Sequence, residues 1–195
     1  MPQGYTRLQI ILHWLIFALI AAQFIFHDAI SDAFRSLVRT GGFEANPLVF
    51  QHVLTGILIL ILVGWRFFIK SRRGAPTLPE NEPALLKLAA HGTHILLYLL
   101  MVFVPITGLV AWFSISRGAG EVHEVLKSVL LVVILLHIAG ALFQKFVLKS
   151  NVMERMIRPN QQNRRMHRCA LPVAGFPARY ADNVLSCCLQ AEIDR

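Results

Sequence analysis

The chain has 195 residues, of which 55% are hydrophobic and 15% charged, with a formal net charge of +8. Soluble domains run nearer about 45–50% apolar and about 25% charged, and here the apolar excess sits in long runs, which excludes a water-soluble globule. The basic residues flank those runs and no basic-aromatic module is present, so the charge reads as membrane orientation and not as nucleic-acid binding.

Four runs carry the hydrophobicity. They span about residues 8–26, 48–69, 88–113 and 122–148. Each is near or above the roughly 20 residues that cross a hydrocarbon core. Lipid offers no partner to a free backbone group, so each must be a helix. The expected fold is therefore all-α: an integral membrane bundle of four helices with the lipid bilayer as its surroundings. The first run is too long for the apolar core of a signal peptide and is expected to stay on the chain.

The segment 28–47 joins the first two spans and is expected to hold a short amphipathic piece around residues 34–38. Pro76, Pro79 and Pro83 make the second-to-third connection a stiff turn. That connection carries Lys70, Arg72, Arg73 and Lys87, and the tail carries Lys149, Arg155, Arg158, Arg164, Arg165 and Arg168. The opposite connections hold only Arg35, Arg39 and Arg117. The asymmetry places both termini in the cytoplasm. Residues 1–159 form the membrane domain. Residues 160–195, interrupted by Pro172 and Pro177, read as a poorly ordered tail. All three cysteines, Cys169, Cys187 and Cys188, lie in that tail, and no C-x-x-C-H run marks a covalently attached haem.

Histidine inside a membrane span is costly and marks a functional site. His13, His52, His91, His94 and His137 lie in spans or at their ends, and His123 opens the fourth. His123 and His137 are 14 residues apart, which is about 21 Å along a helix and within about 40° of one face. The fourth helix thus offers two imidazoles at two depths. His52 lies early in a span that starts outside and matches His123. His13 lies early in a span that starts inside and matches His137. Each pair would clamp one iron porphyrin between neutral imidazoles, giving two b-type haems stacked across the bilayer.

Arg66 is also 14 residues from His52. It is open to two readings, a guanidinium for a haem propionate or a residue snorkelling at its helix end beside Lys70. His91 and His94 are i and i+3 on the third helix. They are open to contact with a propionate, to quinone binding, to replacing an inner ligand, or to a plain interfacial role. His27 and His167 read as surface residues. A zinc site would need about four ligands converging on one point, and these separate into two depths. Gly56, Gly64, Gly108, Ala139, Gly140 and Ala141 suit close helix packing or room for a porphyrin.

The run Tyr5-Thr6-Arg7-Leu8-Gln9-Ile10 with His13-Trp14 resembles the first helix of the bacterial cytochrome b561 family. His91-Gly92-Thr93-His94-Ile95-Leu96-Leu97-Tyr98 with Pro105-Ile106-Thr107-Gly108-Leu109 resembles its third. His123-Glu124, Leu136-His137 and Met156-Ile157-Arg158-Pro159 resemble its fourth helix and end. The resemblance covers roughly residues 5–159. It implies a diheme cytochrome of the bacterial inner membrane that exchanges electrons with ubiquinone, and the family's axial histidines fall on His13, His52, His123 and His137. One member is a superoxide oxidase, passing electrons from superoxide to ubiquinone.

Three functions compete. The first is a redox enzyme carrying electrons from an outer donor, superoxide among them, to the ubiquinone pool. The second is a cytochrome b subunit anchoring a periplasmic or membrane redox partner. The outer connection between the third and fourth spans, about residues 114–121, is shorter than in the superoxide-oxidising relative and would let such a partner reach the outer haem. The third is a colourless transporter, against which the lack of an inverted repeat argues.

Overall fold

The computed structural model describes residues 5–73, 84–150 and 152–157. Six helices follow one another: α1 (Arg7–Ile25), α2 (His27–Thr40), α3 (Pro47–Arg73), α4 (Ala84–Ser114), α5 (Arg117–Phe146) and α6 (Val152–Ile157). No strand occurs among the described residues. Four of the helices, α1, α3, α4 and α5, are long and apolar enough to cross a membrane. The proline-rich connection and the tail with its cysteines lie outside the described residues.

The helix starts follow from local chemistry. Thr6 and Gln9 form a capping box on α1: the Gln9 N–H donates to Thr6 Oγ1 (3.3 Å) and the Thr6 N–H to Gln9 Oε1 (3.0 Å). Asn46 Oδ1 accepts from the Leu48 N–H (2.9 Å) just before α3, and Pro47 occupies the first helical position, where a missing N–H costs nothing. Gly41 ends α2 in the left-handed region, φ 75°, with its N–H on the Leu37 carbonyl.

The core is small. Leu12, Ile16 and Ile20 of α1, one turn apart, pack on Ile59, Leu62 and Val63 of α3. Leu97 and Leu100 of α4 pack on Leu130 and Val133 of α5. Large apolar side chains such as Phe67, Phe68, Leu99, Phe103, Leu135 and Leu136 remain exposed on the spans. In water this would be a large apolar patch, but lipid is as apolar as they are. The backbones pack as α1 on α3, α3 on α4 and α4 on α5, whereas α5 makes little backbone approach to α1 or α3. The bundle is thus loose along the side where α5 faces those two helices.

Two connections differ from expectation. The amphipathic piece is a full helix of 14 residues, α2, and not a few residues near Phe34. The α4–α5 connection is only Ile115 and Ser116, because α5 begins at Arg117, with Ser116 Oγ accepting from the Ala119 N–H (3.3 Å). Ile115 sits at φ 49°, a strained position for a β-branched residue, and the Ser116 N–H reaches back to Ala111 O (3.1 Å). An N-cap serine immediately after the turn starts α5 several residues earlier than its hydrophobicity does.

Phe34 of α2 lies against the backbone of α5 at Gly120, where an added Cβ would come within 2.8 Å of Phe34 Cε1. Gly120→Val is expected to displace α2 and lower stability by about 1–3 kcal/mol. Thermal unfolding in detergent checks it, with Gly118→Ala, where nothing lies within 4 Å, leaving the midpoint in place.

Candidate functional site

Two histidine pairs span the loose side of the bundle. His13 of α1 and His137 of α5 have ring centroids 6.3 Å apart with planes at 74°. His52 of α3 and His123 of α5 have centroids 6.5 Å apart with planes at 72°. All four are half-buried. Each pair therefore joins helices whose backbones stay apart.

His123 is held in place by the α4 backbone. Its Nδ1 lies 2.9 Å from the Val104 carbonyl. A carbonyl only accepts, so Nδ1 carries the proton and Nε2 keeps a free lone pair. The close approach is possible because residue 108 is glycine: a Cβ there would stand 2.9 Å from His123 Cε1 and 3.0 Å from Nδ1. Next to this pair is a cavity of about 740 Å³, bordered by Gln23, His52, Val104, Gly108, His123 and Lys127. Lys127 is paired with Glu124 at 2.6 Å, and its side chain is only 17% exposed.

His27 lines the same cavity, at the α1–α2 junction, with Nδ1 donating to the Phe24 carbonyl (3.0 Å). Its side chain is 40% exposed, so it is a surface residue as expected, and α2 packed on α3 also brings it to the cavity wall. The hydrophobic pattern of the spans carries no signal for that.

The other pair has a third imidazole beside it. The His94 ring is 5.2 Å from His137, and its Nδ1 donates to Ala90 O, one turn back in α4 (2.7 Å). His91, three residues earlier, is exposed. The two histidines of α4 therefore part company. Arg66 Nη1 donates to the Gln9 carbonyl of α1 (2.7 Å), which brings the guanidinium to the first turn of the helix that carries His13. One of its five donors is used in that bond. Lys70 lies over the Tyr98 ring at 5.0 Å. Trp14, next to His13, donates from Nε1 to the Met156 carbonyl of α6 (3.2 Å), which ties the end of the domain to α1.

Among the described residues no three His, Cys, Asp or Glu side chains gather where they could hold one ion. The histidines meet in facing pairs.

The sequence profile of prokaryotic cytochrome b561 matches residues 4–159. The chain belongs to that family. It is 34% identical over 159 residues to cytochrome b562 of Cereibacter sphaeroides, covering 80% of this chain and 96% of that protein. It is 28% identical over 185 residues to a Yersinia pestis protein named "Probable superoxide oxidase CybB", covering 80% and 97%. It is 24% identical over 174 residues to cytochrome b561 homolog 1 of Escherichia coli, covering 78% and 96%. This cytochrome is accordingly a multi-pass bacterial membrane protein of a haem b family, and both histidine pairs lie within the matched residues.

Proposed function

We propose that this cytochrome holds two b-type haems, one between His13 and His137 and one between His52 and His123, and carries electrons between an outer donor and ubiquinone in the bacterial inner membrane. The spacing of the ring pairs carries the reading. A metal about 2 Å from each ring nitrogen, with about 1.1 Å from nitrogen to ring centre, would set two opposed imidazole centroids about 6.2 Å apart. The observed distances are 6.3 and 6.5 Å. His94 at 5.2 Å from His137 is about one ångström too close to share an iron with it in that way.

Haem held between these imidazoles would supply one-electron chemistry, and a histidine on each side would suit electron transfer over oxygen binding. The residues of the chain do the rest. The Val104 carbonyl fixes the tautomer that leaves the Nε2 lone pair of His123 free. Gly108 provides the space for that ring. Arg66 keeps a guanidinium at the inner site with donors to spare, the arrangement a porphyrin carboxylate favours. The basic loop and tail put the His13–His137 pair on the cytoplasmic side and His52–His123 on the periplasmic side.

The name of the Yersinia relative favours superoxide as the outer donor. The two-residue α4–α5 turn favours a second reading, a cytochrome b subunit whose outer pair is reached by a protein partner. Haem quantified per purified chain, followed by superoxide-driven reduction of ubiquinone in detergent, tests both. Two haems with fast quinone reduction support the oxidase. Two haems without it support the subunit. A single haem or a colourless protein removes the paired-histidine reading.

A further inference from the structure

Of the four histidines assigned to haem, His52 has an unfinished environment. Its Nδ1 is buried and has no hydrogen-bond partner. His123 satisfies the same atom on Val104 O, and His94, beside the other pair, on Ala90 O. His52 is one turn into α3 and does not bond back to its own helix in this way. A buried ring N–H without an acceptor is costly, and a metal-ligating imidazole almost always donates that proton to something.

An acceptor is next to it. Gln23 of α1 donates from Nε2 to the His52 backbone carbonyl at 2.8 Å. That bond fixes which end of the amide is which, because an amide oxygen cannot donate to a carbonyl. Gln23 Oε1 therefore points elsewhere, and it too is buried and without a partner. The amide also passes over Gly56, one turn after His52, with Nε2 3.6 Å from where a Cβ would stand. A buried ring nitrogen and a buried amide oxygen, both unpartnered, thus belong to two residues that are joined by a hydrogen bond and border the same cavity.

We propose that Gln23 is the positioning residue of the outer haem site: its amide nitrogen holds the His52 backbone while its amide oxygen accepts the His52 Nδ1 proton when the imidazole turns to bind iron. The bond presents Nε2 to the metal and raises the basicity of the ligand. Greater ligand basicity favours the ferric state, so Gln23 lowers the potential of the outer couple. The inference rests on the assignment of His52 as an axial ligand.

Redox titration of the haem bands tests it, with three variants beside the parent. His52→Ala identifies the outer couple as the component it removes. Gln23→Leu removes both bonds, and is expected to raise that component by a factor of about ten in its redox equilibrium, which is about 59 mV for one electron. Gln23→Glu gives up the amide donor but keeps an oxygen for the ring N–H, and is expected to leave the outer couple at or below its parental value. The inner couple stays put in both. A merely structural role would move the two Gln23 variants upward together, or move neither, and either result overturns the proposal. If His52→Ala retains both components, it is the ligand assignment that falls. If His52→Ala loses one while Gln23→Leu leaves it unmoved, the role of Gln23 falls alone.

Discussion

His52→Ala is expected to yield a folded protein with about half the haem of the parent, and His123→Ala to remove the same half. The two imidazoles face one another at 6.5 Å from helices whose backbones do not pack together. Removing either leaves one bond to iron where the site needs two. His13→Ala and His137→Ala are expected to remove the other half, on the 6.3 Å spacing of that pair. Within a pair the double variant loses no more than a single one, because the two residues act as a unit. Across pairs the losses add, and His13→Ala with His52→Ala is colourless. His94→Ala keeps both haems, since at 5.2 Å its ring is too close to His137 to be the opposite ligand. The reduced-minus-oxidised spectrum with haem counted per chain reads all of these. Loss of haem in His94→Ala together with full retention in His13→Ala would transfer the inner site to His94 and His137.

The second large effect is at a residue without functional atoms. Gly108→Val should loosen the outer haem by about 10–100-fold in affinity, the usual cost of disturbing a ligand's support. In an ordinary helix interior, replacing glycine stabilises; alanine gains about 1 kcal/mol. Here any Cβ meets His123 Cε1 at 2.9 Å and Nδ1 at 3.0 Å. The ring has to retreat, and in retreating it leaves the Val104 carbonyl that sets its tautomer. Haem transfer to an apo-acceptor, followed over time, measures the change. Release as slow as in the parent would show that the ring does not need the α4 backbone. The inner haem, served by other residues, is expected to leave at its parental rate.

Little of the outer support was visible in the amino-acid order. In the sequence Gly108 is one of several small residues, and of these Gly64 and Gly140 have open space where a Cβ would go. Gln23, along the chain, is a lone polar residue late in the first apolar run. Both act on residues of another helix, Gly108 on His123 and Gln23 on His52, and no periodicity within one helix reports a partner on the next. His91 and His94 show the same limit. Their spacing puts them on one broad face, yet packing of α4 on α5 takes His94 to His137 and leaves His91 exposed.

The four long apolar helices and the spacing of the histidines along them are legible in the amino-acid order. Those follow from constraints that act along one dimension: apolar length against membrane thickness, backbone satisfaction in lipid, and a rise of about 1.5 Å per residue. Depth matching pairs His13 with His137 and His52 with His123, and the structure sets those ring centroids 6.3 and 6.5 Å apart. What surrounds them follows from packing between helices. The tertiary structure kept the α5 backbone away from those of α1 and α3, and left a cavity at the His52–His123 pair. It folded α2 over the outer cavity, bringing His27 and Phe34 to its wall. It shortened the α4–α5 connection to two residues by starting α5 at a serine cap. These outcomes depend on which helix faces which and at what distance. That is settled by side-chain contacts between segments far apart in the chain, where glycine, an amide and a carbonyl count as much as the histidines they serve.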